Sequence, residues 1–222
     1  MARDHGLVSV VDAAQSAPHL ALNVRELGCD FLAFSGHKML GPTGIGALYG
    51  TTGALERLAP SQLGGGVVER VTLRDYELRS PPARFEAGTP NIAGALGLAA
   101  ATRYFENLQW SGIHQHARAL TRALRDGLSR NRALRMIAAE GDALPILSLV
   151  APNAAVHLQD VAMALSDRYG IMTRAGLLCV HPLFGSLGLP GGALRISAYV
   201  YNTLEEVEYL CESVAQLLSV MG

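Results

Sequence analysis

Phe31-Leu-Ala-Phe-Ser-Gly-His-Lys-Met-Leu-Gly-Pro-Thr-Gly-Ile-Gly46 decides how this chain is read. Phe31 to Phe34 is a short apolar run and predicts a buried strand. It stops at Ser35-Gly36-His37-Lys38. A loop of glycine and proline follows, Gly41-Pro42-Thr43-Gly44, and then a second apolar run from Ile45 to Tyr49. A lysine between two such runs, with a serine, a histidine and glycines around it, suits one task. Its amine can form a Schiff base while its neighbours hold a phosphate. The plain alternative is a surface lysine in a turn, and these residues alone leave both open.

Working outward, Leu7 to Val11 is apolar and β-branched, which predicts a parallel strand covered on both faces. It ends at Asp12, with Gln15 three residues on. The carboxyl ends of such strands are where open α/β sheets bind ligands, so Asp12 and Gln15 are site candidates. A helix or turn cap is the other reading of Asp12. Asn23 to Leu27 predicts a helical turn, and the whole reads as β-α-β. Cys29 reads as a small buried residue.

Downstream, Ala54 to Leu58 is a short helix, and Gly64-Gly65-Gly66 is a hinge without the frame of a nucleotide loop. Val67 to Leu78 is a hairpin or ordered loop. In Arg84-Phe-Glu-Ala-Gly-Thr-Pro-Asn91, Thr89 offers a hydroxyl and Pro90 sets up a long buried helix, Ile92 to Leu108. Trp110-Ser111-Gly112 interrupts it. The boundary placed there divides the chain into 1–108 and 109–222. Ile113 to Leu128 is amphipathic, with Arg118, Arg122 and Arg125 on a solvated side. His114 and His116 are two apart on that helix and do not share a face, so no metal site is expected.

Leu134 to Ala138, Ile146 to Val150, Ile171 to Thr173 and Ala193 to Ala198 read as strands of a smaller antiparallel sheet. Val156 to Tyr169 is a helix stopped by Gly170. Cys179 lies in Arg174 to Phe184, a loop or a loop entering a short helix, and Gly185 to Gly192 reads as a mobile segment. Arg195 points opposite to Leu194 and Ile196 on an alternating strand. An arginine there needs an anion, an ion pair or solvent. Thr203 with Glu206 matches a capping box for a closing helix that runs to about Leu218 and packs Cys211.

Composition narrows the classes. Of 222 residues, 50% are hydrophobic and the formal net charge is −1, a globular balance with no pull toward nucleic acid or an anionic membrane surface. No apolar stretch is long enough to span a bilayer. Met1 to Gly6 lacks the order of a signal peptide. Three dispersed cysteines make no disulfide framework, and a reducing cytoplasm fits them.

Five stretches taken together resemble the class V aminotransferase superfamily, and within it the group II cysteine desulfurases and selenocysteine lyases. They are Val11-Asp-Ala-Ala-Gln15, Ser35-Gly-His-Lys38 with Gly41-Pro-Thr-Gly44, Phe85-Glu-Ala-Gly-Thr-Pro-Asn91, Arg174-Ala-Gly-x-x-Cys179, and Arg195-Ile-Ser with Tyr201-Asn-Thr203. They occur in family order across nearly the whole chain. The resemblance implies an α/β fold, the fold type I of pyridoxal-phosphate enzymes, with an incomplete, parallel-rich large domain and a smaller α+β C-terminal domain. It implies pyridoxal 5'-phosphate as cofactor, L-cysteine or L-selenocysteine as substrate, a homodimer, and a protein that accepts the sulfur.

The roles it implies are specific. Lys38 is the aldimine lysine. Asp12 pairs with the pyridinium nitrogen, and Gln15 hydrogen-bonds the ring's phenolic oxygen. Ser35 and His37 bind the phosphate, joined by Thr89 from the other subunit. Arg195 clamps the substrate carboxylate. Cys179 takes the sulfur as a persulfide from a movable loop, and alanine leaves. Another class V activity (transaminase, epimerase or C–S lyase) and an inactive scaffold subunit are the competing readings.

Two departures stand out. Leu177 and Leu178 occupy positions where such desulfurases usually carry polar or histidine residues, which makes apolar surroundings for the thiol expected and disfavours the thiolate. His181, two residues beyond, reads either as compensation for them or as plain loop surface. The family's large domain also normally begins well upstream of Leu7, so Leu7 to Val11 is expected to show unpaired apolar edges.

Overall fold

The computed structural model describes residues 2–137, 144–153 and 156–221, and Ala138, assigned above to a strand, lies outside them. The chain forms two compact units, Met1–Trp110 and Ser111–Gly222.

In the first unit, β1 (Val10–Asp12) lies parallel to β2 (Phe31–Ser35), with Asp12 opposite Ala33, and α1 (Val24–Leu27) lies between them in sequence. Asn23 caps α1 by accepting from the Arg25 N–H, and Gly28 closes it in left-handed backbone at φ 61°. β3 (Gly46–Gly50) runs antiparallel to β2, so the sheet order is β1-β2-β3. Strand alternation then sorts the side chains. Val11, Leu32, Phe34 and Tyr49 face a small core with Ala13, Ala17 and Cys29. Asp12, Ala33 and Ser35 take the opposite face.

That opposite face corrects one expectation. β1 is parallel to its neighbour but is not covered on both sides: Leu7, Val8 and Val10 are 57% to 68% exposed, and β2 is its one strand neighbour among the described residues. α2 (Thr52–Arg57) and the hairpin of β4 (Val68–Val71) and β5 (Tyr76–Leu78) follow. α3 (Ile92–Leu108) has its expected bounds but not its expected burial. Gly94, Ala101 and Phe105 are buried, whereas Ile92 and Leu96 are more than half exposed. Gln109, at φ 59°, ends α3, and α4 (Trp110–Ser129) begins directly after it, so Trp110 opens a helix rather than interrupting one.

Among the described residues the second unit is a four-stranded antiparallel sheet with helices packed on both faces. Its strands are β6 (Arg135–Ile137), β7 (Ile146–Val150), β8 (Arg174–Gly176) and β9 (Ala193–Ser197), in the order β6-β7-β9-β8. The helices are α4, α5 (Leu158–Tyr169), the short α6 (His181–Ser186) and α7 (Leu204–Met221). Leu147, Leu149, Leu194 and Ile196 project from one sheet face into a core with Leu120, Leu124, Val161, Leu165, Val214 and Leu217. Each fully buried leucine there contributes roughly 1.5–3 kcal/mol. Arg118 and Arg122 are exposed as expected, but Arg125 is half-buried. The thiol of Cys211 on α7 sits where a side chain on Gly127 would be, and burial pushes its pKa up, so it stays a protonated packing group.

Ile171 to Thr173 is not a strand. The Ile171 N–H donates to the Leu165 carbonyl at 3.0 Å and the Gly170 N–H to Ser166 at 3.0 Å. These bonds close α5, and the chain extends only from Arg174 onward. The capping box of α7 forms as read: Thr203 Oγ1 accepts from the Glu206 N–H at 3.2 Å, and Glu206 Oε2 accepts from the Thr203 N–H at 3.0 Å. Among the described residues no helix is long and apolar enough to cross a membrane.

His19 is buried at 5% exposure in the turn after Asp12, and desolvation lowers its pKa below the ordinary 6.5. The folded state therefore resists a proton that the unfolded chain accepts. Its stabilising contribution is present above about pH 6.5 and is lost as pH falls toward the lowered folded value. Urea midpoints measured from pH 7.5 down to 5.5 should fall more steeply for the native chain than for His19→Gln.

Candidate active site

The first unit builds one end of a candidate site from backbone constraints. Because β1 and β2 are parallel, their carboxyl ends lie at the same edge, and Asp12 and Ser35 share the face turned away from the core. The Ala13 N–H extends the pairing by donating to the Ala33 carbonyl at 2.8 Å. The Asp12 carboxylate is exposed and accepts from the Ala14 N–H at 2.9 Å through Oδ1. The turn reading of Asp12 is thus met, while Oδ2 has no bond from this turn. Gln15 lies exposed in the same turn.

Directly after Ser35 the chain winds into a 3-10 turn, Gly36–Met39, that carries His37 exposed and Lys38 half-buried. The turn is pinned on three sides. The Gly36 N–H donates to the Ile45 carbonyl at 2.8 Å, and the Gly41 N–H to Gly36 at 3.0 Å. Met39 packs on the core of the first unit. A Cβ on Gly36 would lie 3.0 Å from the Ile45 carbonyl oxygen, and one on Gly41 2.8 Å from that of Gly36. Glycine here lets two backbone segments close around the lysine. Asn91 ties in the segment bearing Thr89: its Nδ2 donates to the Gly44 carbonyl at 3.3 Å, and its Oδ1 caps α3 by accepting from the Gly94 N–H at 2.9 Å. Thr89 itself is exposed.

The second unit holds Arg195 and the turn bearing Cys179, whose neighbours Leu177 and Leu178 pack on the sheet face that carries Arg195. Arg195 sits opposite Ser148 on β7 and opposite Arg174 on β8. Two arginines directly across an antiparallel pair repel unless an anion lies between them. The Nε of Arg195 is buried and has no hydrogen-bond partner among the described residues. Ala193, two residues away and therefore on the same face, belongs to a second small core with Val150 and Phe184. Leu177 and Leu178 pack against that core.

Cys179 therefore differs from expectation in two ways. It lies in a tight turn, with the Val180 N–H donating to the Leu177 carbonyl at 2.8 Å. Leu178 and Cys179 both have positive φ, 49° and 63°. Its surroundings are not apolar either. The two leucines turn inward, while the thiol is exposed. Of the segment Gly185 to Gly192, Gly185 and Ser186 end α6, the rest runs through turns, and Gly192 is buried.

Arg174 joins the site only because the strand begins at Arg174 and not at Ile171, a shift that the apolar run Ile171 to Thr173 hides in the sequence. The role of Asn91 as a tie between the Gly44 loop and α3 follows from a contact 47 residues apart in sequence and carries no local signal. Among the described residues no cluster of His, Cys, Asp or Glu fits a metal ion. His116 Nε2 is 2.8 Å from the Asn202 carbonyl oxygen.

The family model for aminotransferase class-V matches residues 1–210, and the chain belongs to that family. Its fold is fold type I, of which the chain holds about half. It is 43% identical over 214 residues to a probable cysteine desulfurase of Staphylococcus epidermidis, covering 96% of this chain and 51% of that protein. Among solved structures, the cysteine desulfurase CsdA of Escherichia coli aligns with a TM-score of 0.91 at 37% identity, covering 99% of this chain and 53% of CsdA. The apo cysteine desulfurase of Thermococcus onnurineus aligns with a TM-score of 0.90 at 41% identity, covering 99% and 54%. The chain thus spans about half the length of the relatives it matches.

Gly192 tests how the Cys179 segment is supported. At φ 70°, a Cβ there would overlap the Gly176 carbonyl and lie 2.8 Å from the Leu177 nitrogen. Gly192→Ala should cost about 2–4 kcal/mol of stability in urea unfolding. Gly185→Ala, in open space on α6, should be close to neutral.

Proposed function

We propose that this chain provides the lysine-bearing portion of a pyridoxal-phosphate-dependent cysteine desulfurase acting on L-cysteine. The observation that supports this best is the shared edge of β1 and β2. It sets a carboxylate, Asp12, on the same face and at the same end as Ser35, with Lys38 in the glycine-pinned turn that follows at once. These residues fit the cofactor by their chemistry. An amine for covalent attachment, an acid for a protonated ring nitrogen, and hydroxyl and imidazole donors for a phosphate all lie on two adjacent strand ends. When bound, the cofactor supplies the electron sink that carbanion chemistry at an amino acid requires.

The chain's own residues would divide the work as follows. Lys38 holds the cofactor and then takes and returns the proton at the substrate Cα. Asp12 keeps the ring nitrogen protonated, and Gln15 donates to the phenolic oxygen. Ser35 and His37 hold the phosphate, with Thr89 of a second subunit completing it in a homodimer. The guanidinium of Arg195, with its buried Nε lacking a hydrogen-bond partner among the described residues, receives the substrate carboxylate, and Arg174 opposite adds positive charge.

Cys179 attacks the substrate sulfur. The bond from Cβ to that sulfur breaks, a sulfur–sulfur bond to Cys179 forms, and the substrate Cβ gains a proton. The net change converts L-cysteine and the Cys179 thiol to L-alanine and a Cys179 persulfide, which passes to an acceptor protein. A cytoplasmic, reducing location suits that persulfide and the free thiols.

With cofactor added, the chain should show the absorbance of a lysine-bound pyridoxal and a borohydride-reducible adduct at Lys38. Lys38→Ala should lose both. Cys179→Ser should keep the absorbance and lose alanine release from L-cysteine by more than 100-fold, on the order of the contribution of a covalent nucleophile. Full turnover in Cys179→Ser would exclude the persulfide step.

A further inference from the structure

We propose that Leu178 is a positioning residue for Cys179. Its side chain, anchored in the core beneath, holds the turn in an unfavourable backbone shape and so presents the thiol outward in one place. The proposal rests on the desulfurase reading for its purpose, though not for its test.

The turn from Leu177 to Val180 has left-handed backbone at both central residues, Leu178 at φ 49° and Cys179 at φ 63°, and is closed by the bond from the Val180 N–H to the Leu177 carbonyl. Turns of this kind normally carry Asn-Gly, because a Cβ disfavours positive φ. Leucine and cysteine are poor choices on backbone grounds, so a contact elsewhere must offset the strain.

The structure supplies that contact. Leu177 and Leu178 pack on Val150, Phe184 and Ala193. Phe184 is fixed relative to the turn, because α6 starts immediately after it and the Leu183 N–H donates to the Val180 carbonyl at 3.1 Å. Gly192, lacking a side chain, lets the Gly176 and Leu177 backbone run directly over it. The turn is thus held from below, on the sheet face that also carries Arg195, while Cys179 alone among its neighbours 177–179 is exposed. An apolar pair at 177 and 178 replaces mobility with a fixed presentation.

Three variants separate anchoring from backbone preference with opposite signs. Leu178→Gly and Leu178→Asn ease the left-handed backbone but remove the apolar anchor, whereas Leu178→Met keeps the anchor. Amide hydrogen exchange at Val180 reports the turn and needs neither cofactor nor substrate. Anchoring predicts at least tenfold faster exchange in the Gly and Asn variants and near-native exchange in the Met variant. Exchange at Leu147 and Leu149 should stay unchanged in all three.

Iodoacetamide labelling followed by mass spectrometry gives a second readout. The Cys179 rate should change at least threefold in the Gly and Asn variants and recover in the Met variant, with Cys211 constant. Slower or unchanged Val180 exchange in the Gly and Asn variants would overturn the proposal. An equal rise at Leu147 and Leu149 would also overturn it, making Leu178 an ordinary core residue. Neither result bears on whether Cys179→Ser retains turnover, so the two readings fail separately.

Discussion

The pairing of β1 with β2 in parallel is the constraint from which the rest of the first unit follows. A parallel pair brings two carboxyl ends to one edge, and the alternation of strand side chains then decides which residues meet there. Val11 with Leu32 and Phe34 takes the core, which leaves Asp12 and Ser35 for the other face. Slipping the register by one residue would exchange these sets and put a carboxylate into an apolar cluster. The small core and the candidate site are therefore enforced by the same register, and the turn bearing Lys38 inherits its place from the end of β2.

The second unit uses the same logic with antiparallel strands. One face of its sheet is committed to leucines and isoleucine against helices α4, α5 and α7. The other face carries Arg195 and, two residues on, the small core under the Cys179 turn. Arg195 and the turn that carries the exposed Cys179 thiol thus come to the same side of the sheet, with Phe184 and Ala193 packed beneath that turn and Leu194 facing the other way. Three cysteines show how environment sets role. Cys29 is a buried filler, Cys211 a half-buried thiol held protonated against Gly127, and Cys179 an exposed thiol on a strained turn.

Much of this was legible in the residues themselves. Long periodic or apolar segments declared α3, α4, α5 and α7, and Gly170 and the Thr203–Glu206 pair marked helix ends by mechanisms that act within a few residues. The errors came where distant contacts compete with local pattern. Ile171 to Thr173 has the composition of a strand but is held by bonds back into α5. The apolar edge at Leu7 to Val10 stands unpaired as expected, whereas burial on both faces of β1 and along α3 departs from composition, which reports what can be buried and not what lies opposite.

By itself, the sequence determined the order of the elements, the glycine-pinned lysine turn and the membership in the class V aminotransferase family, since each depends on residue type at short spacing. Only the tertiary structure decided which strand ends share an edge, that Arg174 lies across from Arg195, and that Leu177 and Leu178 turn inward while the thiol stays out. Those outcomes depend on register and on packing between residues far apart in the chain. Short-range preference cannot specify them, as the left-handed backbone of Leu178 and Cys179 shows.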